Sequence, residues 1–250
     1  NLIVLPFQQE EATEARSGLN TAVCLKSAYL VADAIFLVDN QRYIKKDSPM
    51  LNNIINVNAR IVEPFYNLLC AGEETTTKYI GSKVLDAGDI IQTLAGWTVI
   101  GEGKTRIPRR FPFSVSHNFR DKMAETGKGT HTMDEAVGEL SLTCDPRDAK
   151  RALYLVSAPH EEMNMDLVKQ VGDNLKAIAP NALIRSGDYP RQKGSLDVAI
   201  ILSELSTVRK ITSYFTKAID LISIVKARQA GLQYPERKFE AIFDDIPMLL

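Results

Sequence analysis

The sequence predicts an α/β fold with a mixed sheet, and three observations carry that prediction. Ala34-Ile35-Phe36-Leu37-Val38 and Val198-Ala199-Ile200-Ile201-Leu202 are unbroken apolar runs of strand length, as expected of strands covered on both faces. Runs of this kind alternate with segments of helical periodicity, the order that yields parallel crossovers. The 250 residues are 45% hydrophobic and 24% charged, the make-up of an ordinary globular protein with one large domain or two small ones.

Taken in order, Leu2–Leu5 reads as a short strand buried on both faces. Glu10–Tyr29 carries Ala15, Leu19, Ala22, Val23 and Leu25 among polar residues and reads as a helix. Ala34–Val38 is the next strand, ending at Asp39-Asn40. Asp47-Ser48-Pro49 has the form of a helix cap followed by a first-turn proline. A long helix follows to Cys70, its apolar positions spread over more than one face, which predicts a centrally buried helix that Pro64 kinks or that accommodates it at a bend.

Asp86–Leu94 reads as a capped helix, Leu94–Ile100 as a strand, and Gly101-Glu102-Gly103 as the exit from it. Lys104–Thr132 is irregular and rich in Arg106, Arg109, Arg110, Arg120, Lys122 and Lys128, so a binding loop is expected there. Met133–Leu142 is a helix candidate. Ala152–Ser157, Ala182–Ser186 and Val198–Leu202 are strands, Asp166–Ala177 is a helix, and Gly187–Gly194 is a loop. Ile211, Tyr214, Phe215, Ala218, Leu221, Ile222 and Val225 form one face of a last helix.

Several function classes are disfavoured by composition. Thirty Lys and Arg against 31 Asp and Glu leave a net charge of −1, without the basic excess of a nucleic-acid binder. Cys24, Cys70 and Cys144 are too scattered for a disulfide framework or a metal knuckle, so a reducing cytoplasm is expected. No apolar run approaches the roughly 20 residues of a membrane span. His117, His131 and His160 stand alone, and no metal site is expected. No P-loop and no GxSxG motif is present.

Three features could carry chemistry. Asp86 and Asp89 are neighbours on one helical face, either a cap with a first-turn acid or a working pair. Asn40 ends a parallel strand, where α/β folds place ligand contacts or simply turn. Asn52, Asn53, Asn56 and Asn58 interrupt an apolar helix, as an exposed face or as readers of a purine edge, which an amide can match by donating and accepting.

In order, these segments resemble the tubulin/FtsZ superfamily, most closely its archaeal CetZ branch. The resemblance runs from about Leu2 to about Leu205. It rests on LPF at Leu5–Phe7 with Glu10-Glu11, EARS at Glu14–Ser17, LVDNQ at Leu37–Gln41, INVNARIV at Ile55–Val62, DAGDIIQTLAG at Asp86–Gly96, and SGDYPR at Ser186–Arg191. SGDYPR, similar to a GGDYPR motif, is the most branch-specific of them.

The resemblance implies the C-terminal part of a Rossmann-like GTPase domain (1–48), a long central helix with the synergy loop (49–90), a smaller C-terminal α/β domain with a mixed sheet (91–205) and a helical tail (206–250). It implies GTP or GDP as ligand, with Mg2+ accompanying GTP, and head-to-tail self-association into filaments serving cell shape or division. Asn40 and Asn58 would bond the guanine, Ile54 would cover it, and Glu10, Glu11 and Arg16 would lie at the ribose. Asp86 and Asp89 would be the synergy-loop acids that complete the next subunit's GTP site.

This sequence departs from the family in two places. Ile54 stands where an aromatic residue stacks on the base, and Val84 where FtsZ proteins have Asn. The Gly-rich phosphate loop that precedes the LPF strand in the family is not among these residues, so the resemblance implies a base-reading part without its phosphate cradle. A non-catalytic or weakly nucleotide-binding assembly or regulatory protein is the alternative, and an unrelated α/β enzyme a third.

Overall fold

Alternation along the strands decides the layers of this molecule. The computed structural model describes residues 1–7, 15–44, 49–76, 78, 80–107, 127–192 and 194–230. Its strands are β1 (Leu2–Phe7), β2 (Ala34–Asp39), β3 (Gly96–Arg106), β4 (Arg151–Ser157), β5 (Leu183–Asp188) and β6 (Ser195–Leu205). Its helices are α1 (Ala15–Val31), α2 (Met50–Gly72), α3 (Ala87–Thr93), α4 (Lys128–Gly138), α5 (Met165–Ile178) and α6 (Arg209–Ala230). Ile35, Leu37, Val99 and Ile200 point into one apolar core with residues of α1, α4, α5 and α6. Their neighbours Phe36, Ile100 and Ile201 point into a second core with α2 and α3. Side chains of a strand alternate with period two, so a strand covered on both faces must be apolar throughout.

One sheet runs through the chain in the order β1-β2-β3-β6-β4-β5. β1, β2 and β3 are mutually parallel, β6 is antiparallel to β3 and β4, and β5 is parallel to β4. The parallel pairs are joined by helical crossovers, as expected of βαβ units.

The structure corrects four expectations. β1 is not buried on both faces: Ile3 and Leu5 pack on the first core, while Leu2 and Val4 are exposed on the other side. α2 is not buried all round: it covers the sheet with one stripe only, and Pro64 is buried within it. Phe65 meets Phe36 edge-on at 5.5 Å between ring centroids, and Leu68 and Ala71 are buried, whereas Ile55, Val62, Tyr66 and Leu69 are exposed.

Gly101-Glu102-Gly103 is no exit; β3 continues to Arg106. The two glycines let α4 lie against the strand backbone. A Cβ on Gly103 would sit 2.0 Å from the Thr132 carbonyl oxygen, and one on Gly101 2.2 Å from that of Ala136. For the same reason α4 begins at Lys128 and not at Met133. Its buried stripe is Gly129, Thr132, Met133 and Ala136, small residues that hydropathy undervalues. The cap at Asp47-Ser48, the basic residues Arg109, Arg110, Arg120 and Lys122, His117, and the chain end at 231–250 lie outside the described residues.

The glycine contact makes a stability prediction. Gly103→Ala forces backbone apart and costs about 1–3 kcal/mol, read as a fall in the urea midpoint at constant slope. Gly138→Ala, where an added Cβ meets nothing within 4 Å, is neutral or stabilising by up to about 1 kcal/mol.

Candidate functional site

The strand-end candidate is built where β2 and β3 part. Direct pairing of the two stops at Phe36–Thr98. Beyond it the buried Ser141 fills the gap: its hydroxyl donates to the Leu37 carbonyl at 2.7 Å and accepts from the Ile100 N–H at 3.1 Å. The Asp39 N–H donates to the Ser141 carbonyl at 2.7 Å. Asp39 then caps a single 3-10 turn, Asn40–Arg42, by accepting from the Gln41 N–H, and pairs at 2.8 Å with Lys210 at the start of α6.

Asn40 opens that turn. Its Oδ1 is buried and has no hydrogen-bond partner among the described residues. An unpaired buried acceptor costs about 1–3 kcal/mol, so its place here calls for a donor beyond the described residues. The ring N–H and exocyclic amine of a guanine are donors of that kind, and the residue therefore fits the ligand proposed for it.

Asn58 lies on the exposed side of α2, as do Asn52 and Asn56, whereas Asn53 is buried. No hydrogen bond joins Asn40 to Asn58. Arg16 and Ile54 fall in the first turns of α1 and α2, and Glu10 and Glu11 lie outside the described residues.

The second candidate is the start of α3. Asp86 is its N-cap. The Asp86 carboxylate accepts from the Asp89 N–H at 2.7 Å, and the Asp89 carboxylate accepts from the Asp86 N–H at 3.5 Å, closing a capping box. Asp86 stays exposed and Asp89 half-buried. Asp89 also faces Arg185 of β5, Oδ1 to Nε 3.5 Å.

The loop that leads into α3 is held by the SGDYPR segment, a role that sequence reasoning did not assign. The buried Asp188 carboxylate accepts from the Ser82 N–H at 2.7 Å, the Ser82 hydroxyl at 3.2 Å and the Lys83 N–H. Lys83 donates to the Ser186 hydroxyl at 2.6 Å, and the Asp188 N–H donates to the Lys83 carbonyl. Gly81 admits this contact, since a Cβ there would fall 2.0 Å from the Asp188 carbonyl oxygen. Tyr189, also buried, donates to Glu74 at 3.2 Å, and the Arg191 guanidinium lies 3.5 Å over the Tyr189 ring. The Thr76 backbone N–H and hydroxyl hold the Glu74 carboxyl below its ordinary range, with Arg191 acting in the same direction.

A third feature is a cleft of about 300 Å³ between α2, β3 and α4. It is lined by ion pairs of the fold. Lys104 bridges Glu102 at 2.9 Å and Glu63 at 3.3 Å, and Arg60 meets Glu139 at 3.1 Å. Burial raises the Glu102 carboxyl, and Lys104 partly offsets that. Among the described residues no group of three or more metal-ligating side chains comes together, and no helix is long and apolar enough to cross a membrane. His131 lies within 3.5 Å of the Thr105 hydroxyl, a structural contact, and His160 is exposed.

The two candidates lie apart. Asn40 follows the end of β2, whereas α3 rests on β4 and β5, anchored by Arg151 and Arg185. Four inter-strand steps separate β2 from β5 in the sheet, roughly 19 Å.

Comparison with known proteins follows the same lines. The family model described as the tubulin-like CetZ C-terminal domain matches residues 50–220. Tubulin-like protein CetZ5 of Haloferax volcanii is 25% identical over 97% of this chain and 64% of its own length. CetZ1 of the same organism is 26% identical over 81% of the chain and 55% of its own. Among solved structures, the GTPγS-bound protofilament of Haloferax volcanii CetZ2 superposes with a TM-score of 0.70 at 22% identity, covering 89% of this chain and 60% of that one. CetZ from Methanosaeta thermophila gives 0.63 at 19% identity, covering 92% and 58%. The fold is thus shared, and the chain spans less than two thirds of the length of these relatives.

The clasp on the loop makes a prediction of its own. Asp188→Ala removes three acceptor contacts at once, so amide exchange at 80–89 accelerates at least tenfold while β6 amides keep their protection. Equal acceleration in β6 would mean that Asp188 holds the whole sheet and not the loop.

Proposed function

The chain belongs to the tubulin-like CetZ family, and from that membership we propose that it is a GTP-binding cytoskeletal protein whose subunits join head to tail. On this reading filaments form in the cytoplasm, in the service of cell shape or division. GTP, with Mg2+, is hydrolysed where one subunit meets the next. Asn40 and Asn58 read the guanine, Ile54 covers it, and Glu10, Glu11 and Arg16 lie toward the ribose. Asp86 and Asp89 act on the nucleotide of the neighbouring subunit, orienting the attacking water beside the terminal phosphate. Positioning of this kind is most of what phosphoryl transfer asks of a protein.

The observation that carries the reading is the separation of the two candidates. An acid pair on α3, several strands from Asn40, is poorly placed for a nucleotide held by its own subunit, whereas the exposed Asp86 and half-buried Asp89 can be reached by a neighbour's. The unpartnered Asn40 Oδ1 supports the base-reading role. The nucleotides bound in the relatives' structures, GTPγS in CetZ2 and GDP in CetZ1, support the ligand class.

A second reading, a non-catalytic assembly or regulatory protein, is favoured by the capping box. Those hydrogen bonds would be kept for helix stability alone.

Turnover decides between them. In the full-length protein, GTP hydrolysis per subunit rises with protein concentration and then saturates, because each site needs two chains. Asp86→Asn separates cap from catalysis: Asn caps as well as Asp, so the melting temperature holds while turnover falls roughly 100-fold or more. Unchanged turnover in Asp86→Asn and Asp89→Ala, or a rate per subunit that is flat with concentration, supports the second reading instead. Asn40→Ala weakens GTP binding tenfold or more, the loss of about 1.4 kcal/mol or more, as measured by titration with a fluorescent GTP analogue.

A further inference from the structure

A helix of seven residues does not hold itself in place. Isolated helices of fewer than about 12 residues are marginal in water, and α3 spans only Ala87–Thr93 with Ile91 71% exposed. Its position must come from what it rests on. Ile90, buried in the second core, and two arginines of the sheet supply this. Arg151 of β4 donates to the Gln92 carbonyl at 2.9 Å, a cation on the last turn where the helix dipole favours it. Glu204 of β6 holds that arginine in turn, at 2.8 Å.

Arg185 of β5 is the second. Its Nη2 donates to the Gln92 side chain at 2.6 Å, and its Nε faces Asp89 at 3.5 Å. Its side chain is only 19% exposed, and Nη1 is buried with no partner among the described residues. A guanidinium is a rigid fork that engages a carboxylate through two N–H groups. Here one arm is fixed on Gln92, one faces Asp89, and one still lacks an acceptor. The only carboxylate it pairs with among the described residues is Asp89.

We infer that Arg185 is a positioning residue for Asp89: anchored through Gln92, it sets the direction in which the Asp89 carboxylate is presented to the neighbouring subunit. This rests on the proposed role of the acid pair. β5 then acts twice on that pair, through Arg185 on Asp89 and through Asp188 on the loop from which Asp86 starts. Arg185 acts on the reaction only through Asp89 and touches no nucleotide.

The test is a double-mutant cycle on GTP turnover in the full-length protein, with Arg185→Gln, Asp89→Ala and the pair combined. GTP half-saturation and sedimentation with GTPγS are measured on the same samples. A displaced catalytic group costs on the order of tenfold to 100-fold. Arg185→Gln is therefore expected to lower maximal turnover at least tenfold, with half-saturation and sedimentation within about twofold of the parent protein. Arg185→Lys, which keeps the charge and loses the fork, recovers part of the rate. The double variant is no slower than Asp89→Ala alone, since one residue acts through the other.

Losses that multiply in the double variant overturn the inference. So does an Arg185→Gln turnover equal to the parent's when Asp89→Ala is inactive. So too does a loss of GTP binding or of the folded state that Arg185→Lys does not restore. If Asp89→Ala itself turns over normally, the acid-pair reading fails first and the inference falls with it.

Discussion

A single buried carboxylate governs where the acid-bearing helix begins. Asp188 is taken out of water at the end of β5, and burying a charge is costly unless it is bonded on every side. It meets that condition with the N–H groups of Ser82 and Lys83 and the Ser82 hydroxyl. These partners belong to a loop more than a hundred positions earlier in the chain, so the carboxylate ties the exit of α2 to the far edge of the sheet. Gly81 is the steric condition for the approach. Leu85, fully buried, and then Asp86 follow directly, and the helix geometry is set before its first residue.

The same sheet that receives this loop also positions the strand-end asparagine. Ser141 closes the gap between β2 and β3, Asp39 hydrogen-bonds to it, and Lys210 clips Asp39 from α6. Asn40 is left at an anchored strand end, its buried acceptor without a partner among the described residues. The two candidates are thus set by one continuous body but stand several strands apart. On the proposed reading, the shared sheet fixes the spacing at which nucleotide on one subunit and acids on the next are matched by stacking copies.

Strand identity is legible wherever a strand is covered on both faces. β2, β4 and β6 announce themselves as unbroken apolar runs, and LVDNQ places the end of β2 within one residue. Elements whose packing rests on small residues were not legible. Gly101 and Gly103 read as a break because a missing side chain lowers strand propensity, yet it is the missing Cβ that admits α4. α4 itself was misplaced by five residues at its start for the same reason. At the site, the cap residues Asp86 and Asp89 could be named from spacing, since a capping box is local. Asp188 and Arg185 could not: SGDYPR stood out as a motif, but nothing along the chain says that its acid receives residues 82 and 83, or that the preceding arginine reaches Asp89. Those contacts exist only once β5 has been laid beside β4.

A site shared between two subunits is tested most directly by mixing two crippled proteins. Full-length protein carrying Asn40→Ala keeps the acids and loses the base reader, whereas Asp89→Ala keeps the base reader and loses an acid. Each alone hydrolyses GTP slowly. An equal mixture is expected to turn over GTP well above the sum of the two, because some junctions unite an intact pocket with an intact acid pair. A mixture that does no better than that sum would contradict the shared site.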